Sequence, residues 1–111
     1  MELKVIEKND AAIIEITGKL IGGPFMQEMS EILHKLLDEA KKTVIVDMSG
    51  VSMMTSSGMG VLISGYTTMK NGDGILKLAN VSDKVAGLLA ITNLDKVFEY
   101  YPSVDEALAS D

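Results

Sequence analysis

A chain of 111 residues, 47% hydrophobic and 23% charged, suits one domain, residues 1–111, with a buried core, and lacks the polar bias of a disordered segment. The absence of cysteine excludes a disulfide scaffold, a thiolate metal site and a thiol nucleophile, and a single histidine, His34, rules against an imidazole-built zinc site. A net charge of −6 with no arginine weighs against nucleic-acid binding, and the lack of a leader pattern or of an apolar run near the ~20 residues of a bilayer span points to a cytoplasmic protein with no membrane partner.

In chain order, Leu3 and Val5 alternate with Glu2 and Lys4 across residues 1–7, and Asn9 with Asp10 marks a turn. A second strand follows over residues 11–17, with Ala12, Ile14 and Ile16 on one face, so the opening is an antiparallel hairpin. Residues 18–24 are expected to form a glycine-rich loop, and Pro24 fits the first turn of a helix, where its missing N–H leaves no bond unmade. Phe25, Met29, Ile32, Leu33, Leu36, Leu37 and Ala40 then recur at the spacing of one core-facing helical stripe. His34 falls on the flank of that stripe, the place of a solvated residue. Residues 43–48 are rich in β-branched side chains and almost continuously apolar up to Asp47, as a central strand covered on both faces should be. Ser49 and Gly50 are expected to break it.

After Met53 and Met54, three hydroxyl residues, Thr55, Ser56 and Ser57, stand at the start of a helix whose Gly58, Val61, Leu62, Gly65 and Met69 share a face. Glycine weakens a helix interior by about 1 kcal/mol relative to alanine. Close approach of the helix to the sheet at Gly58 and Gly65 would compensate. Residues 71–74 close the helix, and Ile75, Leu76, Leu78 and Ala79 make a further strand. Ser82 is placed to cap a helix carrying Val85, Leu88, Leu89 and Thr92, ending near Asn93. Val97, Phe98, Tyr100 and Tyr101 suggest a last strand stopped by Pro102, and Ser103 with Glu106 has the spacing of a capping box before a short final helix with Val104, Ala107 and Leu108. The order β-β-α-β-α-β-α-β-α predicts an α/β fold, a small mixed sheet covered by about four helices, with parallel pairs after the hairpin.

The three hydroxyls have two readings. One of them serves as an ordinary N-cap, or the turn is a phosphorylation site, since a helix N-terminus favours a phosphate through its free N–H groups and dipole. Such a group would add about −1.5 to −2 charges and expel a partner docked there. A serine hydrolase lacks its parts: Met54 stands where the elbow motif around Ser56 needs glycine, His34 is the lone imidazole, and Asp47 has no second carboxylate close by in the motif. Nor does Gly58 open a dinucleotide fingerprint, because Ile63 occupies the third glycine's place. The chain is therefore read as no enzyme, with no cofactor and no metal. Met53, Met54 and Met59 flank the turn, and soft side chains there suit either a binding surface or core filling.

The segment from Asp47, Met48, Ser49 and Gly50 through Thr55, Ser56, Ser57, Gly58, Met59 and Gly60 to Leu62 resembles the D-L-S-x-V-x-x-[MI]-D-S-[ST]-G-L-G-V-L signature of STAS domain proteins, specifically stand-alone bacterial anti-sigma factor antagonists. The closing Leu94, Asp95, Lys96, Val97 and Phe98 also match. That resemblance implies a STAS-like fold and a phosphorylation-controlled switch in partner-switching control of transcription. In such proteins an anti-sigma factor serine kinase is sequestered by the unphosphorylated antagonist and released by the phosphorylated one, which a phosphatase resets. The acceptor serine corresponds to Ser56, with Thr55 and Ser57 as alternatives, and the implied contact surface comprises Leu20, Ile21, Gly22, Met54, Thr55, Ser56, Ser57, Gly58 and Met59. The family's aspartate position holds Thr55, and Ile21 stands where an acidic residue is usual. The alternative is a STAS scaffold or transport accessory module that binds a partner without switching. Oligomeric state is left open.

Overall fold

The computed structural model describes residues 2–8 and 10–110 of the chain, and ten elements follow one another among them. They are β1 (Glu2–Lys8), β2 (Ala11–Leu20), α1 (Pro24–Asp38), β3 (Thr43–Met54), α2 (Ser56–Asn71), β4 (Ile75–Ala79), α3 (Asp83–Ile91), a 3₁₀ turn (Leu94–Lys96), β5 (Glu99–Tyr101) and α4 (Val104–Ala109). The strands lie in the order β1-β2-β3-β4-β5. β1 pairs antiparallel to β2, and the other three pairings are parallel. This is the predicted mixed sheet, with β3 at its centre; Met1 and Asn9, assigned above to the first strand and its turn, lie outside the described residues.

Strand alternation sends Ala12, Ile14, Ile16, Val44, Val46, Met48, Leu76 and Leu78 to one face, where α1, α2 and α3 cover them with Met29, Leu33, Val61, Leu62, Met69, Val85 and Leu89. Apart from Ala12, each such side chain contributes about 1.5–3 kcal/mol on full removal from water. The opposite residues Ile13, Ile45 and Ala79 meet Ala107 of α4, with Ile6, Tyr101, Val104 and Leu108 around them. β3 is thus apolar on both faces because both are covered.

Several boundaries differ from the sequence expectation, the last strand among them: it holds only Glu99–Tyr101, and Val97 and Phe98 precede it after the 3₁₀ turn. β2 does not end at residue 17 but runs through Gly18 and Lys19 to Leu20, leaving only residues 21–23 as the connection to α1. β3 does not break at Ser49 and Gly50; it continues to Met54, and the β2–β3 register shifts between Glu15 and Thr17 and again between Gly18 and Lys19. A bulge replaces the break because Asp47 supplies the missing partners: its Oδ1 accepts from the Ser49 N–H and from Asn80 Nδ2, both at 3.0 Å. Ala40 is not on the buried stripe. α1 stops at Asp38, Ala40 adopts φ 62°, and the Ala40 and Lys41 N–H groups return to the Leu37 and Leu36 carbonyls, a Schellman closure. α2 closes the same way around Asp73, with Gly74 N–H on the Met69 carbonyl at 2.7 Å.

Burial pushes the Asp47 carboxyl up, but the hydrogen bonds from Asn80 and Ser49 outweigh it and hold its pKa below the ordinary 3.8. A depressed carboxylate stabilises the fold above its unfolded pKa and loses that contribution as pH falls through the folded value. Asp47→Ala is expected to lower stability in urea unfolding at pH 7 by about 1–3 kcal/mol. The difference from the wild type should narrow below pH 3.8, as the wild-type carboxylate takes up its proton.

Candidate functional site

β2 and β3 extend beyond the sheet they share with β4, and their last residues, Leu20 and Met54, are register partners. The two connections therefore leave the sheet side by side. The Thr55 N–H donates to the Leu20 carbonyl at 3.1 Å, and the Met59 N–H closes the first helical bond onto the Thr55 carbonyl at 2.9 Å. Thr55 itself is extended, with φ −97° and ψ 171°, and its hydroxyl accepts from the Gly58 N–H at 3.0 Å. Of the three hydroxyl residues, Thr55 is the cap.

The first turn of α2 lies directly on the end of β2. A Cβ on Gly58 would overlap the Leu20 carbonyl oxygen and carbon, and one on Gly22 would stand 2.8 Å from the Ser57 Cβ. Gly65, further along the same face, leaves room for Leu76 and Leu33, whose Cδ1 atoms would be 3.1 and 3.2 Å from an added Cβ. The close approach expected at both glycines is present, at Gly58 against backbone and at Gly65 against side chains.

Ser56 and Ser57 follow the cap as the first two helical residues, and both are exposed. Among the described residues neither hydroxyl nor either backbone N–H makes a hydrogen bond. Two donors at a helix N-terminus thus lie next to two free hydroxyls. The field there is not offset locally, because residues 48–65 contain no charged side chain and α2 has no acidic residue in its first turn.

Around the serines, Ile21 is 48% exposed, Met26 38% and Met53 37%. Met26 lies against the first turn of α2, its Cε 3.8 Å from where a Gly60 Cβ would be. Beside them a shallow hollow of about 410 Å³ is lined by Lys19, Ile21, Gly22, Pro24, Phe25 and Glu28. Leu20, Met54, Gly58 and Met59 are buried beneath this surface, and the Thr92 hydroxyl lies 3.6 Å from the Met59 sulfur. The flanking methionines therefore divide: Met54 and Met59 fill the core and Met53 faces solvent. Met26 escapes a pattern search, since it lies off the apolar stripe of α1.

His34 is exposed on α1, where its Nδ1 donates to the Ser30 carbonyl at 2.8 Å. Asp47 is committed to Ser49 and Asn80. No group of three or more possible metal-ligating side chains, and no helix long and apolar enough to cross a membrane, occurs among the described residues.

The model of the STAS domain family matches residues 2–107 of this chain. The anti-sigma-B factor antagonist of Staphylococcus aureus is 28% identical over 67 residues, which are 60% of this chain and 62% of that protein. Solved structures share the fold, among them the following two. A serine-to-glutamate variant of RsbS from Moorella thermoacetica superposes with a TM-score of 0.83 at 19% identity, covering 98% of this chain and 93% of its own. The phosphorylated form of the Bacillus cell fate determinant SpoIIAA gives 0.73 at 16% identity, covering 97% of each chain.

The two glycines of the first turn should behave oppositely when replaced. Gly58→Ala is expected to lose about 1–3 kcal/mol or more, because the added methyl meets backbone that cannot rotate away. Gly60→Ala has only Met26 Cε nearby, at 3.8 Å, and should gain a few tenths to about 1 kcal/mol from helix propensity. Paired denaturant melts measure both.

Proposed function

The chain belongs to the STAS domain family, and from that premise we propose that it is an anti-sigma factor antagonist switched by phosphorylation of Ser56. The observation that carries this reading is the pair of exposed, unengaged serine hydroxyls beside unpaired N–H groups at the start of α2. Unphosphorylated, the turn and the adjoining Ile21, Gly22, Met26 and Met53 offer a neutral, partly apolar surface to an anti-sigma factor kinase. Leu20, Met54, Gly58 and Met59 support that surface from below.

Phosphorylation changes the surface without requiring a change of fold. The phosphate gains the N-terminal dipole and two free donors. It also brings about −1.5 to −2 charges to a turn whose own stretch of chain, residues 48–65, carries none, and to a chain of net charge −6. A partner packed over the turn meets a bulky, strongly hydrated anion and leaves. A phosphatase restores the neutral surface. The role is regulatory; no residue pair in the turn supplies a nucleophile and its base.

Among the three hydroxyls, Ser56 and Ser57 are free and Thr55 is engaged as the cap, so the acceptor in this reading is Ser56 with Ser57 as its neighbour. Incubation with the cognate kinase and ATP, followed by peptide mass spectrometry, should place the label on Ser56 and lose it in Ser56→Ala. Label confined to Thr55, or none on the turn, would reject the switch. Ser56→Asp is expected to weaken kinase binding by at least about tenfold in calorimetry. Unchanged binding would instead favour a constitutive scaffold.

A further inference from the structure

A second hollow, of about 350 Å³, lies on the α4 side of the sheet at the end remote from the serine turn, where the parallel strands begin. Its wall includes Lys77 of β4, a lysine only 2% exposed. The Lys77 ammonium donates to the carbonyls of Ala107 at 3.1 Å and Ser110 at 2.6 Å, and it stands 5.4 Å above the Tyr101 ring. These contacts tie the end of α4 to the sheet and use two of its three donors. No carboxylate among the described residues is within ion-pair distance of it. Among the described residues the charge on this buried ammonium is met only by carbonyl dipoles, the ring face and the partial negative charge of a helix end, and a buried cation is costly unless it is paired.

The rest of the wall has the chemistry of an anion site with an aliphatic body. Lys8 adds a second ammonium, Thr43 and Ser110 are hydroxyl residues, and Ala11, Ile75 and Leu108 make an apolar side; among the described residues Asp10 is the one acidic group in the lining. We infer that this hollow binds a small aliphatic carboxylate, its head on Lys77 with Lys8 as the outer cation and its chain against Ala11, Ile75 and Leu108. The carboxylate would give the Lys77 ammonium an anionic partner and, through Ser110 and Ala107, tighten α4 on the sheet.

Butyrate titrated into the isotopically labelled full chain, with butylammonium as the cation of matching shape, tests this by NMR. Butyrate should produce saturable amide shifts at Ala11, Thr43, Ile75 and Leu108 while leaving Ser56 and Ser57 unmoved. Butylammonium should produce none. Lys77→Met should abolish the shifts, and the exposed Lys8→Gln, which leaves the buried packing intact, should weaken binding by about threefold to tenfold. Shifts that do not saturate, equal shifts from butylammonium, or affinity unchanged in Lys8→Gln would overturn the assignment. None of these outcomes bears on the serine turn, so the two sites stand or fall separately.

Discussion

The carbonyl of Leu20 holds the site together. It receives the Thr55 N–H, and it lies under the bare Cα of Gly58. Both contacts are backbone to backbone, so the entry of α2 is set by main-chain geometry with little freedom from rotamers. Any Cβ at Gly58 would separate the helix from the strand that carries it. The length of β2 matters for the same reason: had the strand ended at Thr17, no carbonyl would stand at the place where α2 begins.

This geometry decides which polar groups remain available. Of the donors at the start of α2, the Thr55 N–H goes to Leu20 and the Gly58 N–H to the Thr55 hydroxyl, which leaves those of Ser56 and Ser57. A threonine cap does this without a charge. A carboxylate at the same position would offset the helix dipole before any phosphate arrived, whereas the neutral cap leaves the whole of it for an incoming anion. The charge-free run over residues 48–65 has the same effect over a wider area, and it makes the contrast between neutral and anionic forms of the turn as large as one group can make it.

Much of the fold was legible because it rests on local periodicity and caps. The α1 stripe as far as Leu37, the glycine-bearing face of α2, and the caps at Ser82 and Ser103 all occur where spacing places them. What escaped depends on partners remote in sequence. The continuation of β3 past Ser49 requires Asn80 to meet Asp47, 33 positions away. The extension of β2 through Gly18 and Lys19 follows from pairing with β3 and not from any alternation of its own. Ala40 in a left-handed conformation carries no sequence mark, since glycine is the usual sign. Lys77 sits among apolar strand neighbours, and its burial is intelligible only once α4 presents two carbonyls to it. At the site, the motif located the turn, but which hydroxyl caps and which are free is a matter of one dihedral pair at Thr55.

The two faces of the sheet carry different kinds of stability, and this bears on function. The α1, α2 and α3 face is closed by a large continuous core, and α2 is embedded in it through Val61, Leu62, Gly65 and Met69. The opposite face is closed by one six-residue helix whose only fully buried residue is Ala107. A helix that short has little intrinsic stability, so α4 depends on Lys77, on the Tyr101 hydroxyl beside Ser110 at 2.8 Å, and on Leu108 and Val104. Local opening is therefore far easier at α4 than at α2. The serine turn is built on the rigid side, where a charge added to its surface changes what can dock while the strand end and helix beneath it stay in place.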